Sequence, residues 1–272
     1  MKSAPALFDR SALLHHRARA SRDALFLHHA AVDEAQDRLA MVKRSFKNVA
    51  IVSPFAPVWQ NAFPAAQILP DDEVLALQPG ACDLVIHAMC LHWANDPVGQ
   101  VIQCRRALKP DGLFLCFTLG GTTLSELRSA LAEAESRLTG GLSPRIAPMA
   151  EIRDLGAVLQ RAGLNLPVAD TLPLTAEYRD LYHLMHDLRA MGETNALADR
   201  LKHPTRRSLF QQAERVYRDR FATPEGKLPA SFEIVSLTAW CPDDSQPKPL
   251  RPGSASTRLA EALGAKETRL PD

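Results

Sequence analysis

The sequence predicts an α/β protein with a doubly wound, mostly parallel sheet. Short apolar runs, such as residues 83–89 and 113–119, alternate with amphipathic segments through the middle of the chain. These two runs are mainly apolar along their length rather than at every second position, which is typical of strands buried on both faces of a parallel sheet. Apolar residues make up 46% of the 272 residues, enough for a large core.

The first half of the chain supplies the elements in order. Residues 21–46 carry apolar side chains at every seventh position and predict a helix, followed by strands at 49–52 and 66–69. Residues 97–108 predict a helix that ends in the turn 109–112 (KPDG), where glycine would supply a positive φ.

In the second half, Thr123 and Glu126 have the spacing of a capping box at the start of a helix. Residues 151–162 predict a further helix. Strands at 167–175 and 232–240 flank a charged helical insertion, so we expect these two strands to form an antiparallel edge of the sheet.

These elements predict one domain over residues 1–241, with an N-terminal helical segment (1–47) and a helical lid insertion (176–225). Residues 242–272 are rich in proline, serine and charge, which predicts a linker and a flexible tail.

Composition excludes several classes of partner and site. Lys and Arg total 32 against 31 for Asp and Glu, which argues against binding to nucleic acid. No apolar run approaches the ~20 residues of a membrane span, and the N-terminus lacks the apolar segment of a signal peptide.

The five cysteines form no Cys-x-x-Cys pair and indicate buried thiols in a reducing, cytoplasmic compartment. Adjacent histidines point to different sides of a helix, so we expect no metal site.

Three segments carry a family resemblance. Residues 82–97 (CDLVIHAMCLHWANDP), 105–114 and 119–128 resemble the central strands and following helix of class I S-adenosylmethionine (SAM)-dependent methyltransferases. The similar group includes the malonyl-acyl-carrier-protein O-methyltransferase of biotin synthesis and the methyltransferase-like assembly factor of respiratory complex I. Residues 143–148 and 188–197 look closest to the assembly-factor branch. The resemblance implies a Rossmann-like fold from about residue 7 to residue 241.

One loop departs from that family. Class I methyltransferases end their first strand in an acidic residue and a glycine-rich loop, whose backbone amides approach the cofactor. Here residues 53–57 read SPFAP, with no glycine, no acid and two prolines that lack an N–H. Roughly thirty residues separate the first and central strands, where two βα units would be expected, so one strand is predicted to be reduced.

If SAM binds, the resemblance implies a site at the carboxyl ends of the strands. The residues that would form it are Ser53, Phe55, Asp71, Asp72, Ala88, Met89 and Trp93. Asp71 or Asp72 would hold the ribose hydroxyls, although a solvated loop acid explains either residue equally well.

A second set predicts a substrate or partner pocket under the lid: His92, Arg145, Arg189, Glu193 and Asn195. His92 is the candidate catalytic base, and the alternative is that His92 and Trp93 brace the loop. Arg145 could bind a carboxylate through two hydrogen bonds, or be an exposed loop charge. Arg189 and Glu193 are four residues apart, so a simple surface ion pair would also explain them.

The sequence therefore predicts a SAM-dependent methyltransferase-like protein with a small molecule or a protein as methyl acceptor. The replaced glycine loop argues against activity, and the cofactor is SAM or none. The alternative is a non-catalytic binding or assembly factor of the respiratory complex I type with a protein partner. Members of that branch are linked to arginine hydroxylation, so an arginine hydroxylase-like relative is a further alternative.

Overall fold

A computed structural model describes residues 6–247, 257 and 263–264. The chain divides into two units, Met1–Pro242 and Asp243–Asp272, and every strand of the sheet belongs to the first. The linker and tail predicted for residues 242–272 lie largely outside the described residues.

The first unit is built on one six-stranded sheet with the strand order β2-β1-β3-β4-β6-β5. The strands are β1 Val49–Val52, β2 Gln67–Leu69, β3 Cys82–Ala88, β4 Leu108–Leu119, β5 Asn165–Tyr178 and β6 Leu228–Trp240. The first four neighbours are parallel, and β6 runs antiparallel to both β4 and β5. The predicted mostly parallel sheet with an antiparallel edge is thus confirmed.

Helices cover the sheet and its carboxyl edge. They are α1 Arg10–Arg17, α2 Phe26–Val42, α3 Ala56–Ala62, α4 Pro97–Ala107, α5 Ser125–Thr139, α6 Ile152–Arg161, α7 Leu181–Ala190 and α8 Arg207–Phe221, with short 3-10 turns at Arg22–Ala24 and Leu91–Trp93. Asp9 caps α1 by accepting from the Ala12 amide, and Asp96 caps α4 in the same way. Within the described residues, none of the helices is both long and apolar enough to span a membrane.

The core lies on both faces of the sheet because successive strand residues point to opposite sides. Ile86 and Leu115 belong to the apolar cluster that includes α2, α5 and α8 residues. Their neighbours Val85 and Phe114 belong to the cluster on the other face, with α4 and α6 residues. This two-sided burial explains why the central strands are apolar throughout.

The predicted loss of a strand is also confirmed. Only α3 and the three-residue β2 lie between β1 and β3, and β2 forms the edge of the sheet. The chain after β2 contacts α1 through Asp71 and α4 through Gln100 and Gln103.

The turn at residues 109–112 differs from its prediction. Asp111, not Gly112, has the positive φ, at 57°. The pairing of β3 with β4 shifts between Cys82 and Leu84, so the extra residues of β4 form a bulge. Gly112 is required for space, since a Cβ there would lie 2.9 Å from the carbonyl oxygen of Lys109.

The capping box was wrongly predicted. Helix α5 begins after Leu124, which has a φ of 55° and makes no side-chain cap. The Thr123 hydroxyl instead accepts from the Glu233 amide at 3.1 Å, and the Glu126 carboxylate accepts from the Ser231 amide and hydroxyl. Both side chains join the helix entry to β6, a partner that local spacing does not reveal.

Candidate functional site

The carboxyl ends of β1, β3 and β4 meet at one edge of the sheet, where ligands of doubly wound folds bind. Three spaces lie there, one of them a space of about 600 Å³ lined by Asp71, His87 and Trp93. We call the space between the ends of β1 and β3 the cradle, and the space under α7 and α8 the lid cavity. The residues predicted for cofactor and substrate are distributed around these spaces.

The cradle is filled by protein. The Phe55 ring packs edge-on against His28, with ring centroids 4.9 Å apart. A Cβ at Gly192 would lie 3.3 Å from Phe55 Cζ and 3.2 Å from Arg17 Cα, so the chain approaches closely here. The space that remains beside Met89 and Glu193 is about 10 Å³, room for no more than about one water.

The loop after β1 has its amides occupied. The Ser53 N–H donates to the Leu69 carbonyl at 2.9 Å, and the Phe55 N–H donates to the Ser53 hydroxyl at 3.2 Å. Pro54 and Pro57 have no N–H to offer. At the end of β3, Ala88 is buried and the Met89 N–H donates to the Phe117 carbonyl.

The carboxylate of Asp71 is fully engaged. Arg17 Nη1 lies 2.9 and 2.8 Å from its two oxygens, and Arg10 donates to both at 3.0 and 3.1 Å. Burial alone would raise the pKa of Asp71, but the two guanidinium groups outweigh it and lower that pKa. Asp72 is more exposed and binds only Arg10. Neither assignment to a ribose is tested by these contacts, and both remain predictions.

The cradle has no room for SAM beside Met89 and Glu193, and the amides of Ser53 and Phe55 are already used. Of the other predicted cofactor residues, Asp71 and Trp93 line a third space of about 600 Å³ at the same edge of the sheet, together with Arg10, His87 and Cys90.

Glu193 forms the wall shared by the cradle and the lid cavity. Its Oε2 accepts from Trp93 Nε1 at 2.7 Å and lies 3.3 Å from His92 Nε2. The Leu119 amide donates to His92 Nδ1 at 3.4 Å. Burial would raise the pKa of Glu193, but His92 and Arg17 lower it.

The surface ion pair considered for Arg189 and Glu193 does not form. Helix α7 ends at Ala190, so Glu193 leaves the helical register and turns inward. Arg189 remains exposed and has no hydrogen-bond partner for its guanidinium among the described residues.

The lid cavity has a volume of about 470 Å³ and mostly apolar walls. Side chains from α5, α7, α8 and β6 supply these walls: Leu124, Leu127, Leu131, Met185, Leu188, Phe210 and Phe232. Trp93, Arg145, Arg189, Glu193 and Asn195 also line the cavity, which brings together most of the predicted pocket residues.

Two of these pocket residues are engaged in structural bonds. Arg145 forms two hydrogen bonds to the buried carboxylate of Glu135, at 2.7 and 3.1 Å, and a third to Thr205. The Asn195 amide donates to the Pro144 carbonyl at 2.8 Å. Arg145 is therefore already bound to an internal carboxylate, so its predicted role toward a ligand carboxylate would require that bond to break.

The sequence did not reveal Arg17, His28 or Glu135. Arg17 lies 54 residues from Asp71, and no local pattern links them. The available signal was the spacing of Arg17 from Leu13, which places both on one face of α1, and both are buried.

Within the described residues there is no group of three His, Cys, Asp or Glu side chains that could hold a metal ion. All five cysteines are free thiols.

Comparison with known proteins agrees with the fold. A family model described as "Methyltransferase domain" matches residues 24–116. The mouse protein named arginine-hydroxylase NDUFAF5, mitochondrial, is 39% identical over 202 residues, which are 74% of this chain and 59% of that protein. The malonyl-[acyl-carrier protein] O-methyltransferase of Xylella fastidiosa is 35% identical over 184 residues, 68% of this chain and 59% of that enzyme. The chain thus matches about three fifths of the length of these relatives.

Solved structures show a similar arrangement at low identity. The YcgJ protein of Bacillus subtilis aligns with 79% of this chain and 100% of its own, with 13% identity and a TM-score of 0.47. A phosphoethanolamine N-methyltransferase of Haemonchus contortus, solved with S-adenosylhomocysteine, aligns with 76% of this chain and 53% of its own, at 14% identity and a TM-score of 0.40. The family model over residues 24–116 and the curated relatives together make this chain methyltransferase-like.

Proposed function

We propose that this methyltransferase-like protein binds, in its lid cavity, a substrate with an apolar stem and a cationic end. The observation that supports this is an apolar space of about 470 Å³ whose inner wall presents the Glu193 carboxylate. No step through SAM is proposed, because the cradle does not fit that cofactor.

Two of the three arginines that line the cavity have internal counter-charges. Arg145 is paired with Glu135, and Arg200 forms an ion pair with Asp9 at 3.0 Å. The third, Arg189, is exposed. Glu193 Oε2 accepts from the Trp93 indole and lies 3.3 Å from His92 Nε2. A largely buried carboxylate is stabilised by an incoming positive group.

The relatives suggest which cation this is. The mouse and human proteins are named arginine-hydroxylase, so we propose that the bound group is a guanidinium of a small molecule or of a protein side chain. An arginine also supplies an apolar stem that can lie along apolar cavity walls. The malonyl-specific relatives would favour a carboxylate instead, but the Arg145 guanidinium is already bound to Glu135.

Calorimetric titration tests this assignment. Decanoyl-arginine amide is compared with decanoyl-citrulline amide, which has nearly the same shape without the charge. A charged hydrogen bond contributes roughly 1.5–3 kcal/mol, so we expect the arginine compound to bind at least about tenfold more tightly.

The Glu193→Gln variant removes the charge at constant shape and should make the two affinities equal. Glu177→Gln is the matched control, because Glu177 is an exposed β5 carboxylate paired with Lys227. Equal binding of both amides to the unaltered protein would refute a cation site.

The cytoplasmic location and the protein partner are proposals as well. The NDUFAF5 relatives are named mitochondrial, and the sequence features of this chain favour the cytoplasm. Fractionation of cells that express the full-length protein with a C-terminal tag distinguishes these two locations.

A further inference from the structure

The N-terminal segment around α1 and the loop between α7 and α8 bound one side of the lid cavity. The residues that line the cavity from these two segments include His16, Arg200, Leu201 and Thr205. Backbone hydrogen bonds join the segments. The Asp9 N–H donates to the Ala196 carbonyl at 2.8 Å, and the next of these bonds runs from the Ala198 N–H to the Leu7 carbonyl at 2.9 Å. The two segments therefore build this side of the cavity together.

The loop is strongly basic. Residues 197–207 contain four Lys and Arg residues and a single acid. Arg200 is paired with Asp9 at 3.0 Å, whereas Lys202 and Arg206 are exposed. Helix α8 begins after Arg206 with no side-chain cap and no acid in its first turn, so the positive end of its dipole adds to the charge of the loop.

Helix α1 adds positive charge to the same side of the cavity. Residues 10–22 contain four arginines and no acid, and two of these arginines bind Asp71. Arg19 is exposed, and its Nη2 lies 2.7 Å from Nδ1 of His16, which lines the cavity. Burial lowers the pKa of His16, and the charges of Arg19 and Arg200 lower it further, so both guanidinium groups lie near this ring.

We call the exposed side chains of Arg19, Arg189, Lys202 and Arg206 the basic rim. Arg189 itself lines the lid cavity, and Lys202 and Arg206 each follow a residue that lines it. The rim is opposite in charge to the Glu193 carboxylate on the inner wall. A ligand that satisfies both is cationic where it enters the cavity and anionic where it lies across the rim.

Apolar side chains on the same segments favour a polypeptide over a nucleic acid. Leu14 of α1 and Leu201 of the loop are both exposed. Protein interfaces combine apolar contacts with a polar rim, whereas binding to nucleic acid depends mainly on contacts with phosphate. A polynucleotide on the rim would also bring phosphates close to the Glu193 carboxylate, which repels them.

We propose that the basic rim binds an acidic segment of a protein partner. The group that enters the lid cavity is then carried by a polypeptide, and the acidic residues beside that group contact the rim. This proposal rests on the proposed function for the cationic group inside the cavity, and it adds the flanking charge that the protein recognises.

Four heptapeptides test the proposal by calorimetric titration with the full-length protein. The central residue is arginine or citrulline, and the flanking residues on both sides are aspartates or serines. We expect aspartate flanks to tighten binding at least about fivefold over serine flanks for either central residue, because several weak exposed ion pairs form together. This advantage should shrink when the ionic strength rises from about 0.02 M to about 0.3 M, since salt screens exposed charges.

A charge-reversed rim supplies the matched variant. Lys202→Glu combined with Arg206→Glu should abolish the advantage of the aspartate peptides. Arg153→Glu combined with Arg161→Glu is the control, because it changes the net charge equally at exposed positions of α6, a helix that packs on the other face of the sheet. The control should retain the advantage, and circular dichroism verifies that both variants are folded.

Three results would overturn the proposal: equal affinity for aspartate and serine flanks, no binding of either aspartate peptide, or an equal loss in the rim variant and its control. Tighter binding of an oligothymidylate of matched charge would also overturn it, in favour of nucleic acid. The ratio of arginine to citrulline affinity reports only on the proposed function. If that ratio is one while aspartate flanks still tighten binding, the proposed function fails and the basic rim remains a docking surface.

Discussion

The cradle and the lid cavity lie side by side at one edge of the sheet and share Glu193, yet they differ in what occupies them. The cradle retains about 10 Å³ beside Met89 and Glu193. The lid cavity retains about 470 Å³ and is lined mainly by apolar side chains. The sheet of a methyltransferase-like protein is kept, while the larger spaces lie beside the cradle, in the lid cavity and in the space of about 600 Å³ that Asp71 and Trp93 line.

The physical reason lies in the chain segments that reach each space. The cradle receives a proline-bearing loop, an aromatic ring and a helix from the N-terminus. The lid cavity is lined by residues of α5, α7, α8 and β6, and α5 and α8 pack against each other. Four changes to the sequence test how far this contrast holds.

The largest effect is expected for Asp71→Asn. This change leaves Arg17 buried without its full counter-charge, and breaking a buried ion pair costs about 3–5 kcal/mol. Urea denaturation followed by circular dichroism measures the loss. Asp72→Asn is the control, since the Asp72 side chain is 60% exposed, and we expect at most about 1 kcal/mol for it. If Asp71→Asn loses as little stability as Asp72→Asn, the ion pair of Arg17 with Asp71 contributes little to the free energy of unfolding.

The second effect compares the same substitution in the two spaces. Phe55→Ala removes a ring packed against His28, and we expect a loss of about 2–3 kcal/mol in the free energy of unfolding. Phe210→Ala removes a ring that already faces the lid cavity, so fewer contacts are lost and about 1 kcal/mol is expected. Chemical denaturation of both variants measures the difference. An equal loss would mean that the lid cavity is as well packed as the cradle.

The third effect is a dependence of stability on pH. Burial lowers the pKa of His87 from 6.5 to about 4, so this ring stays neutral in the folded protein. Between pH 6.5 and 4 the unfolded chain binds one more proton at this residue, and stability falls as the pH falls, by about 1.4 kcal/mol per pH unit. Burial lowers the pKa of His28 to about 3, which adds to the same trend.

The His87→Gln variant should reduce the slope of stability against pH in this window. His183→Gln, which changes an exposed histidine of α7, is the control and should leave that slope unchanged. Thermal denaturation at several pH values gives both slopes. An unaltered slope for His87→Gln would show that His87 does not cause the pH dependence of stability.

The smallest effect is expected for Arg189→Ala. Because this side chain is exposed and unpaired within the described part of the chain, its removal should change the free energy of unfolding by less than about 0.5 kcal/mol. The positive charge of Arg189 repels the guanidinium of decanoyl-arginine amide. Arg189→Ala should therefore bind this amide at least as tightly as the unaltered protein does. A clear loss of binding, measured by calorimetry, would instead make Arg189 a ligand of the substrate.

Much of the fold could be predicted because it depends on local patterns. The mainly apolar runs at residues 83–89 and 113–119 correspond to the buried strands β3 and β4. The short separation of β1 from β3 correctly indicated a reduced strand. The capping box of Thr123 and the positive φ of Gly112 were wrongly predicted. The Thr123 hydroxyl accepts from the Glu233 amide of β6, and Asp111 has the positive φ.

The candidate site was predicted only in part. Trp93 was predicted at the carboxyl ends of the strands and Glu193 in a pocket under the lid insertion, and the structure brings the two side chains into contact. Their partners could not be predicted in the same way. His92 and Glu193 are 101 residues apart, and only the folded chain decides that Glu193 leaves its helix and turns toward His92.

The sequence alone determined the sheet, its two-sided burial and the absence of a glycine loop after β1, because these depend on residue type and periodicity along the chain. The tertiary structure decided what the altered loop means. Arg17 and Asp71 are joined over 54 residues, and the volume between strands depends on how side chains from distant segments pack. A closed cradle beside an open lid cavity is therefore a property of packing, which no spacing in the sequence expresses.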